Sequence, residues 1–242
     1  MKYMGSKNRI ADDILSVMLE NYSGGSFVDA FCGGCSVIQR VPDTFRRIAN
    51  DKNRYLVAMW KALLDGERLP IFISREFYSD VRSDTRLDGD KYSDGIRGWV
   101  GFMGSFNGRF FDGGYSGHAV EGKNGSVRDY ISENINNTLS QVEQLKGVEF
   151  VCGDYSEMDI PDNSLIYCDP PYKGTKQYTT SKNFDYGRFY EWIHEMKDKG
   201  HTVFVSEYQM PDDFTCVWEK GVTNAMNQTI TKKTVEKLFV PV

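Results

Sequence analysis

Two patterns of apolar and polar positions alternate along the chain and predict its secondary structure. Short continuous apolar runs predict buried strands, and segments with apolar residues every three or four positions predict amphipathic helices. Strands are expected at residues 26–31, 47–51, 148–152, 164–168, 201–206, 214–218 and 234–240. Helices are expected after an N-cap at Ser6, from Val37 onward, and at residues 52–64, 74–82, 94–104, 127–145 and 185–198. This alternation of strands and helices predicts an α/β fold.

One segment interrupts the alternation. After Pro70, two predicted helices lead into residues 105–117, which are dense in glycine and aromatic residues. A chain of 242 residues suits one α/β domain with an insertion, or two small domains. We therefore expect residues 1–65 and 127–242 to form one domain that carries residues 66–126 as an inserted subdomain.

Composition excludes some classes of protein. The net charge of -5 and pI near 5.3 are not those of a strongly basic nucleic-acid-binding protein, although a local basic patch can still contact phosphates. Because no apolar run reaches the length of a membrane span and no signal-peptide region is evident, a cytoplasmic location is expected. The five cysteines are an odd number, which favours structural thiols in a reducing compartment over disulfides.

Four residues after the predicted strand at 164–168 have the strongest chemical character. Asp169, Pro170, Pro171 and Tyr172 must end that strand, because proline cannot donate to a sheet ladder. The end of such a strand is where open α/β sheets bind ligands. The Asp169 carboxylate and the Pro170 carbonyl can accept hydrogen bonds from one NH2 group, while the Tyr172 ring can stack on a flat heterocycle. A plain capped turn remains the alternative for these four residues taken alone.

A glycine-rich turn follows the first predicted strand. Cys32-Gly33-Gly34-Cys35-Ser36 allows a ligand to approach the backbone, but the turn lacks the G-x-G-x-x-G pattern of dinucleotide sites, and it could equally be only a tight turn. Asp51 lies 22 positions after Asp29, near the spacing at which an acid binds ribose hydroxyls, or it caps the helix that follows. A metal or redox site at Cys32 and Cys35 is disfavoured, since no second C-x-x-C is present and the histidines are far away.

Three further stretches have weaker signals. Gly5-Ser6-Lys7 before a helix can hold an anion, although an ordinary helix start explains these residues as well. The rings and the arginine of residues 105–117 could wedge between bases, or could form an aromatic subcore that closes a loop. Residues 173–184 contain three lysines and no acid, which suits either contact with phosphates or a solvated loop.

Taken together, these stretches resemble the Dam-like alpha group of DNA adenine methyltransferases, which are widespread in bacteria and phages. KYMGSKNRI is similar to the group's N-terminal cofactor motif, and FVDAFCGGCSV to its glycine-rich loop. IAND and CGDY correspond to the acids after the second and third strands, and DPPY to the catalytic motif. The order of the motifs, with an insertion before DPPY, is that of the alpha group, and the resemblance covers nearly the whole chain.

The resemblance implies a fold, a reaction and a set of residues. The fold is the Rossmann-like class I S-adenosylmethionine-dependent methyltransferase fold, a mixed sheet with helices on both faces and a mainly helical target-recognition insertion. The reaction transfers a methyl group from S-adenosylmethionine to N6 of an adenine flipped out of duplex DNA, with S-adenosylhomocysteine as product. The catalytic residues are Asp169, Pro170, Pro171 and Tyr172. The cofactor-binding residues are Tyr3, Met4, Gly5, Ser6, Lys7, Asp29, Ala30, Phe31, Cys32, Gly33, Gly34, Ser36, Asp51, Asp154, Tyr155 and Asp169. The DNA-binding residues are Phe106, Asn107, Arg109, Phe110, Tyr115, Lys173, Lys176 and Lys182.

The insertion departs from the best-known members of the group. FNGRFFDGGYSG is shorter than the corresponding run of enzymes that read GATC, and it looks closer to short phage-type members. The expected partner is double-stranded DNA, without metal or membrane, in a bacterial cell or phage-infected host. A cognate restriction endonuclease and a monomeric or weakly dimeric state are compatible with the resemblance. Open alternatives are methylation of cytosine at N4 or of adenine in RNA, and a non-catalytic DNA-binding protein with the same fold. A dinucleotide oxidoreductase would need the missing G-x-G-x-x-G.

Overall fold

The computed structural model describes residues 1–121, 125–174, 183–227 and 230–242, and it describes side chains outside residues 223–233. Lys176 and Lys182, two of the lysines expected to contact DNA, lie outside the described residues.

Within these ranges the strands form one large sheet and one short ladder. The large sheet contains β1 (Ser26–Asp29), β2 (Arg46–Asp51), β5 (Val148–Cys152), β6 (Leu165–Cys168), β7 (Thr202–Glu207), β8 (Phe214–Asn227) and β9 (Ile230–Pro241). The ladder pairs β3 (Val120–Glu121) with β4 (Val127–Arg128). The strand order of the large sheet is β5-β2-β1-β6-β7-β9-β8, with β9 antiparallel to both β7 and β8 and the other pairings parallel.

Helices cover both faces of the sheet. They are α1 (Ala11–Leu19), α2 (Arg54–Leu64), α3 (Arg75–Arg86), α4 (Asp94–Gly104), α5 (Tyr130–Val142) and α6 (Tyr186–Asp198). One core includes Ile14 of α1, Trp60 of α2 and Ile131 of α5, packed with Phe27 and Tyr167 of the sheet. A second core packs α6 against the opposite face. The mixed sheet with helices on both faces confirms the predicted fold class.

The strand order also determines where a ligand can bind. From β1 the chain goes to β2 on one side, whereas from β5 it crosses to β6 on the other side of β1. In parallel α/β sheets, a crevice opens at the carboxyl ends of the strands where the order reverses. Asp29 and Tyr167 are partners at the ends of β1 and β6, so Asp169 follows directly at this crevice.

The helix α4, which lies between residues 66 and 126, packs directly on α2. A Cβ at Gly98 of α4 would lie 2.0 Å from the carbonyl oxygen of Tyr55, so only glycine permits this helix crossing. Arg97 is buried and pairs with Asp84 of α3 at 2.9 Å, which ties α3 to α4. Trp99 and Phe102 of α4 belong to the same core as Trp60.

Several predicted element ends were wrong. Ser6 is not a helix cap: α1 has Ile10 at its N-cap position, and the Ser6 hydroxyl accepts from Asn8 N at 3.4 Å. The helix expected from Val37 is a single 3-10 turn, Ile38–Arg40, because Pro42 follows closely and cannot continue it. Asp51 does not cap α2, since the side chain of Asn53 accepts from Tyr55 N and Leu56 N.

Other elements differ in length. α5 begins at Tyr130, not at residue 127, because Val127–Arg128 pair with β3. α3 extends to Arg86, and β8 and β9 are longer than the predicted strands. Within the described ranges no helix is long and apolar enough to cross a membrane.

Candidate functional site

The crevice at the ends of β1 and β6 contains a buried ion pair. Lys7, which precedes α1 and is 6% exposed, places its Nζ 2.8 Å from Oδ1 of Asp169. The same Nζ donates to the carbonyl oxygen of Gly5 at 3.2 Å. The N-terminal motif and the DPPY motif, far apart in sequence, therefore meet at this pair.

Tyr172 and Glu236 close the site behind Asp169. The Tyr172 hydroxyl donates to Oε2 of Glu236 at 3.0 Å, and Lys7 Nζ lies 4.6 Å from the centre of the Tyr172 ring. Tyr208 meets the same ring edge-on at 4.6 Å. The ring is buried, with the ammonium over one of its faces. The sequence did not indicate Glu236, because β9 carries none of the motifs.

The ionisation of the central pair reflects burial and mutual attraction. Burial raises the pKa of the Asp169 carboxyl above its usual range, although the Lys7 ammonium pulls it back down. Burial alone would lower the pKa of the Lys7 ammonium. The negative charges of Asp169 and Glu236 outweigh this effect, so the pKa of Lys7 is raised. The pair is therefore stable as a charged unit only while both partners are present.

Asp29 is a second buried acid at the crevice, and its hydrogen bonding is less complete than that of Asp169. Its Oδ1 has no hydrogen-bond partner among the described residues. Burial, reinforced by the nearby Asp169 carboxylate, raises the pKa of Asp29 well above its usual range. An orphaned acceptor of this kind, buried beside another acid, suits a cationic donor supplied by a ligand.

The glycine-rich turn after β1 is held from two sides. Gly33 has a positive φ of 46°, and a Cβ there would lie 2.6 Å from the Tyr3 ring, so Tyr3 packs directly on the turn. The Gly33 amide donates to Oδ2 of Asp51 at 3.1 Å. The Lys7 amide donates to Oγ of Ser36 at 3.1 Å. The structure thus brings the expected cofactor residues of the N-terminus, the turn and β2 into one place.

The remaining expected cofactor residues border the same crevice. Phe31 and Tyr155 are 5.3 Å apart, and Phe189 packs against both rings. Oδ2 of Asp154 is 3.1 Å from Lys52 Nζ, so this acid already has a cation. Ala30 and Cys32 are buried beside the turn, whereas Met4, Gly5 and Ser6 are exposed.

The cysteines are free thiols. Cys32 and Cys35 are buried, and the pKa of each thiol is raised, at Cys32 by the contact with Cys35 and by burial and at Cys35 mainly by burial. Among the residues that the structure describes, no group of three histidine, cysteine or acidic side chains could hold a metal ion.

The aromatic residues of the insertion divide into an exposed and a packed set. Phe106, 48% exposed, and Asn107 lie on the surface. Phe110 stacks on Tyr55 at 5.3 Å, and the Tyr115 hydroxyl donates to the carbonyl oxygen of Ile73. Phe110 and Tyr115 therefore form part of an aromatic subcore that holds this loop, and Arg109 is half-buried beside them.

A surface cavity of about 360 Å³ adjoins the exposed set. Two cations border it: Lys2 Nζ and the Arg128 guanidinium both lie over the Tyr130 ring, at 5.3 and 4.9 Å. The sequence analysis placed Lys2 at the start of the N-terminal motif but assigned it no contact with DNA, and it did not single out Arg128.

The segment after DPPY is anchored by an acid that was also missed. The Lys173 amide donates to Oε1 of Glu207 at 2.8 Å, while the Lys173 side chain is exposed. Glu207 is 3% exposed, and its Oε2 has no partner among the described residues. Burial raises the pKa of Glu207 to about 7.

Comparisons with solved structures gave only distant similarity. A precorrin-8w decarboxylase from Methanobacterium thermoautotrophicum aligns at 13% identity and a TM-score of 0.38, over 97% of this chain and 90% of that chain. A protein described as a methyltransferase, solved with S-adenosylhomocysteine, aligns at 11% identity and a TM-score of 0.35. That alignment covers 98% of this chain and 53% of the other. No curated protein sequence matches the chain.

The family comparison is much more specific than the structural ones. Residues 3–212, which include the N-terminal motif apart from Lys2, the glycine-rich turn and DPPY, match the model of one family. On this match, the chain belongs to the D12 class of N6 adenine-specific DNA methyltransferases.

Proposed function

We propose that this DNA methyltransferase is a site-specific enzyme of the Dam-like alpha group and that Asp169, paired with Lys7, binds the target amine. The reaction follows from the family: S-adenosylmethionine donates a methyl group to N6 of adenine in DNA, and S-adenosylhomocysteine is released. The order of the motifs, with the N-terminal motif before the glycine-rich turn and the insertion before DPPY, supports the subgroup. The single observation that carries the site assignment is the buried contact between Lys7 Nζ and Asp169 Oδ1 at 2.8 Å.

The residues at the crevice fit the charges of S-adenosylmethionine. This cofactor has a sulfonium, an ammonium and a carboxylate, and it supplies an electrophilic methyl group. The unpartnered Oδ1 of Asp29 suits the ammonium, and the turn at Gly33 leaves main chain near it. Lys7 can attract the carboxylate, and Asp51 suits the ribose hydroxyls. Asp154 and Tyr155 border the place for the adenine ring.

For the methyl acceptor, Asp169 and Pro170 have complementary roles. The Asp169 carboxylate and the Pro170 carbonyl accept hydrogen bonds from the two amine hydrogens, which orients the nitrogen lone pair. Such alignment, together with the negative charge beside a nitrogen that becomes positive, lowers the barrier without a covalent intermediate. The methylated amine, now positively charged, then releases one proton to water. Tyr172 is the stacking partner of the base, which requires the Lys7 ammonium to leave one face of its ring.

On the DNA side, we assign target recognition to residues 66–126. Phe106 and Asn107 are exposed on a turn. The nearby Phe110 and Tyr115 are packed against the protein, so the two exposed side chains stand on a well-held loop. Arg109 adds a cation, and Lys173 lies directly after DPPY. Lys176 and Lys182 are assigned to phosphate contact from the sequence alone. Since Asp169 lies in a crevice, the adenine must leave the duplex to reach it, at about a few kcal/mol of unstacking.

Methyl transfer by the Asp169→Asn variant tests the site assignment. The variant keeps the shape of the side chain but loses its charge, so we expect transfer from radiolabelled S-adenosylmethionine to DNA to fall by about a hundredfold or more. Asp162→Asn, at an exposed position before β6, is the matched control and should label DNA like the wild type. Undiminished transfer by Asp169→Asn would contradict the assignment. Nucleoside analysis of the product separates N6-methyladenine from N4-methylcytosine, and long-read sequencing gives the recognition sequence.

A further inference from the structure

Glu236 of β9 is enclosed directly behind the Asp169–Lys7 pair. Its side chain is 11% exposed, and Oε2 lies 3.8 Å from Lys7 Nζ. The same oxygen accepts the hydrogen bond of the Tyr172 hydroxyl at 3.0 Å. The residues that match the family model end at 212, so this carboxylate comes from a strand beyond the matched segment.

One carboxylate thus contacts both residues that border Asp169. A buried ammonium is stable only when it is paired, and Lys7 has acids on two sides, Asp169 at 2.8 Å and Glu236 at 3.8 Å. We propose, on the basis of the function proposed above, that Glu236 is a positioning residue for methyl transfer. It holds the Lys7 ammonium and the Tyr172 ring in place, so that Asp169 faces the target amine.

The alternative to a positioning role is that Glu236 serves only to hold two parts of the fold together. The bond from Tyr172 to Glu236 also fastens β9 to the segment after β6, and its loss would lower stability without changing the chemistry at Asp169. The two roles are separated by the ionisation of Asp169. A positioning carboxylate 3.8 Å from Lys7 changes that ionisation, whereas a purely structural bond does not.

Several charged or titratable groups surround this position. Asp29 lies at the end of β1, Tyr167 on β6, and Glu207 and Tyr208 at the end of β7. Burial is the largest influence on the pKa of Asp169 and raises it, Lys7 lowers it, and the negative charge of Glu236 raises it again. Removing that negative charge while Lys7 stays paired with Asp169 therefore lowers the pKa of Asp169.

The experiment compares Glu236→Gln, Glu236→Ala, Tyr172→Phe and the double variant Tyr172→Phe with Glu236→Gln. Glu219→Gln, an exposed acid on β8 with a side chain 63% exposed, is the matched control. For each protein, kcat, KM for S-adenosylmethionine and for DNA, the pH profile of kcat and the thermal unfolding curve are measured. The wild type and Asp169→Asn are included, so that failure of the proposed function itself is recognised separately.

We expect Glu236→Ala to lose kcat by about tenfold or more, the equivalent of one hydrogen bond to a charged group. Glu236→Gln can still accept from Tyr172 but lacks the charge, so it should retain more activity than Glu236→Ala, with the acid limb of its kcat profile moved to lower pH. Because Tyr172 and Glu236 share one bond, the double variant should lose less than the two single variants predict together. Glu219→Gln should behave like the wild type.

Two results would overturn the positioning role while Asp169→Asn remains inactive. The first is wild-type kcat and an unmoved acid limb in both Glu236 variants. The second is a loss of kcat that tracks a lower unfolding temperature, with the acid limb of Glu236→Gln unmoved. If Glu236→Ala does not fold, the pH profile of the isosteric Glu236→Gln decides the question.

Discussion

Buried acids are concentrated at one edge of the sheet. The pKa values of Asp29, Asp51, Asp169 and Glu207 are all raised, in each case first of all by burial. A cluster of this kind opposes folding, because each carboxylate loses hydration that the protein does not fully replace. Perturbed acids in a crevice are typical of functional sites. A cationic ligand at this edge would therefore offset part of that cost.

Asp29→Asn should separate ligand affinity from stability. We expect the variant to bind S-adenosylmethionine about tenfold or more weakly, because the hydrogen bond to the ammonium is no longer assisted by the negative charge of a buried carboxylate. Since the pKa of Asp29 is raised in the folded state, removing the acid should increase the unfolding temperature of the ligand-free protein near neutral pH. Calorimetric titration and thermal unfolding measure the two effects, with Asp43→Asn, at an exposed position, as control. Unchanged affinity would remove Asp29 from the cofactor site.

The raised pKa of Glu207 predicts how the stability of the protein depends on pH. Its pKa is raised from 4.5 to about 7, so the folded protein holds this proton more tightly than the unfolded chain does. The stability that this group contributes is therefore present below about pH 4.5 and is lost as the pH rises through about 7. Glu207→Gln resembles the protonated form and should be more stable than the wild type above pH 7, by up to about 3 kcal/mol.

Urea unfolding at several pH values measures this difference. The gap between Glu207→Gln and the wild type should widen as the pH rises from about 4.5 and level off above about 7. Glu143→Gln, an exposed acid on the loop after α5, should follow the wild type throughout. Parallel curves for Glu207→Gln and the wild type would mean that Glu207 titrates normally.

At the scale of elements, the crossing of α2 and α4 determines where the insertion sits on the sheet. Gly98→Ala should strongly destabilise the protein, because the added Cβ would lie 2.0 Å from the Tyr55 carbonyl oxygen and the helices would have to separate. We expect a loss of about 1–3 kcal/mol or more in the free energy of unfolding. Gly187→Ala in α6 is the control, since its Cβ would meet only Asp185 Oδ1 at 3.4 Å. A stable Gly98→Ala protein would show that the crossing tolerates displacement.

The elements also indicate what the sequence could and could not predict. The apolar runs that became β6 and β7 were identified closely, because buried parallel strands have a continuous apolar signature. The fold class, the reaction and the cofactor were confirmed, whereas the Dam-like subgroup and the roles of individual site residues stay predictions. Local rules failed at Ser6, because α1 begins only after Ile10 and has no side-chain cap, and at Asp51, because Asn53 caps α2 instead.

Residues without a local signature could not be predicted. Glu236 belongs to the site only because β9 runs antiparallel beside β7. Glu207 belongs to it only because the chain that follows β6 brings the Lys173 amide to this carboxylate. Lys2 and Arg128 likewise meet over Tyr130 through tertiary packing. Such contacts depend on strand order and turns, which a single sequence does not encode in any short pattern.

At the scale of the whole molecule, a net charge of -5 must be reconciled with a polyanionic substrate. Attraction to DNA cannot come from overall charge, so it must come from local cations, and we expect these on the face that contains the crevice. Lys2, Arg128 and Lys173 are described cations near the exposed Phe106 or after DPPY. The dependence of DNA affinity on salt counts such contacts, because each neutralised phosphate releases a counterion.

Lys2→Gln tests where this face lies. We expect its DNA affinity to fall and the slope of log K against log salt to become less negative by about one unit, because one phosphate contact is removed. Lys199→Gln makes the same change of charge just before β7, at the amino end of the sheet and opposite the crevice, and it should leave the slope unchanged. Fluorescence anisotropy of a labelled duplex over a range of salt concentrations gives both slopes. If Lys199→Gln changes the slope and Lys2→Gln does not, DNA binds at the other edge of the sheet, and the crevice containing Asp169 does not face the duplex.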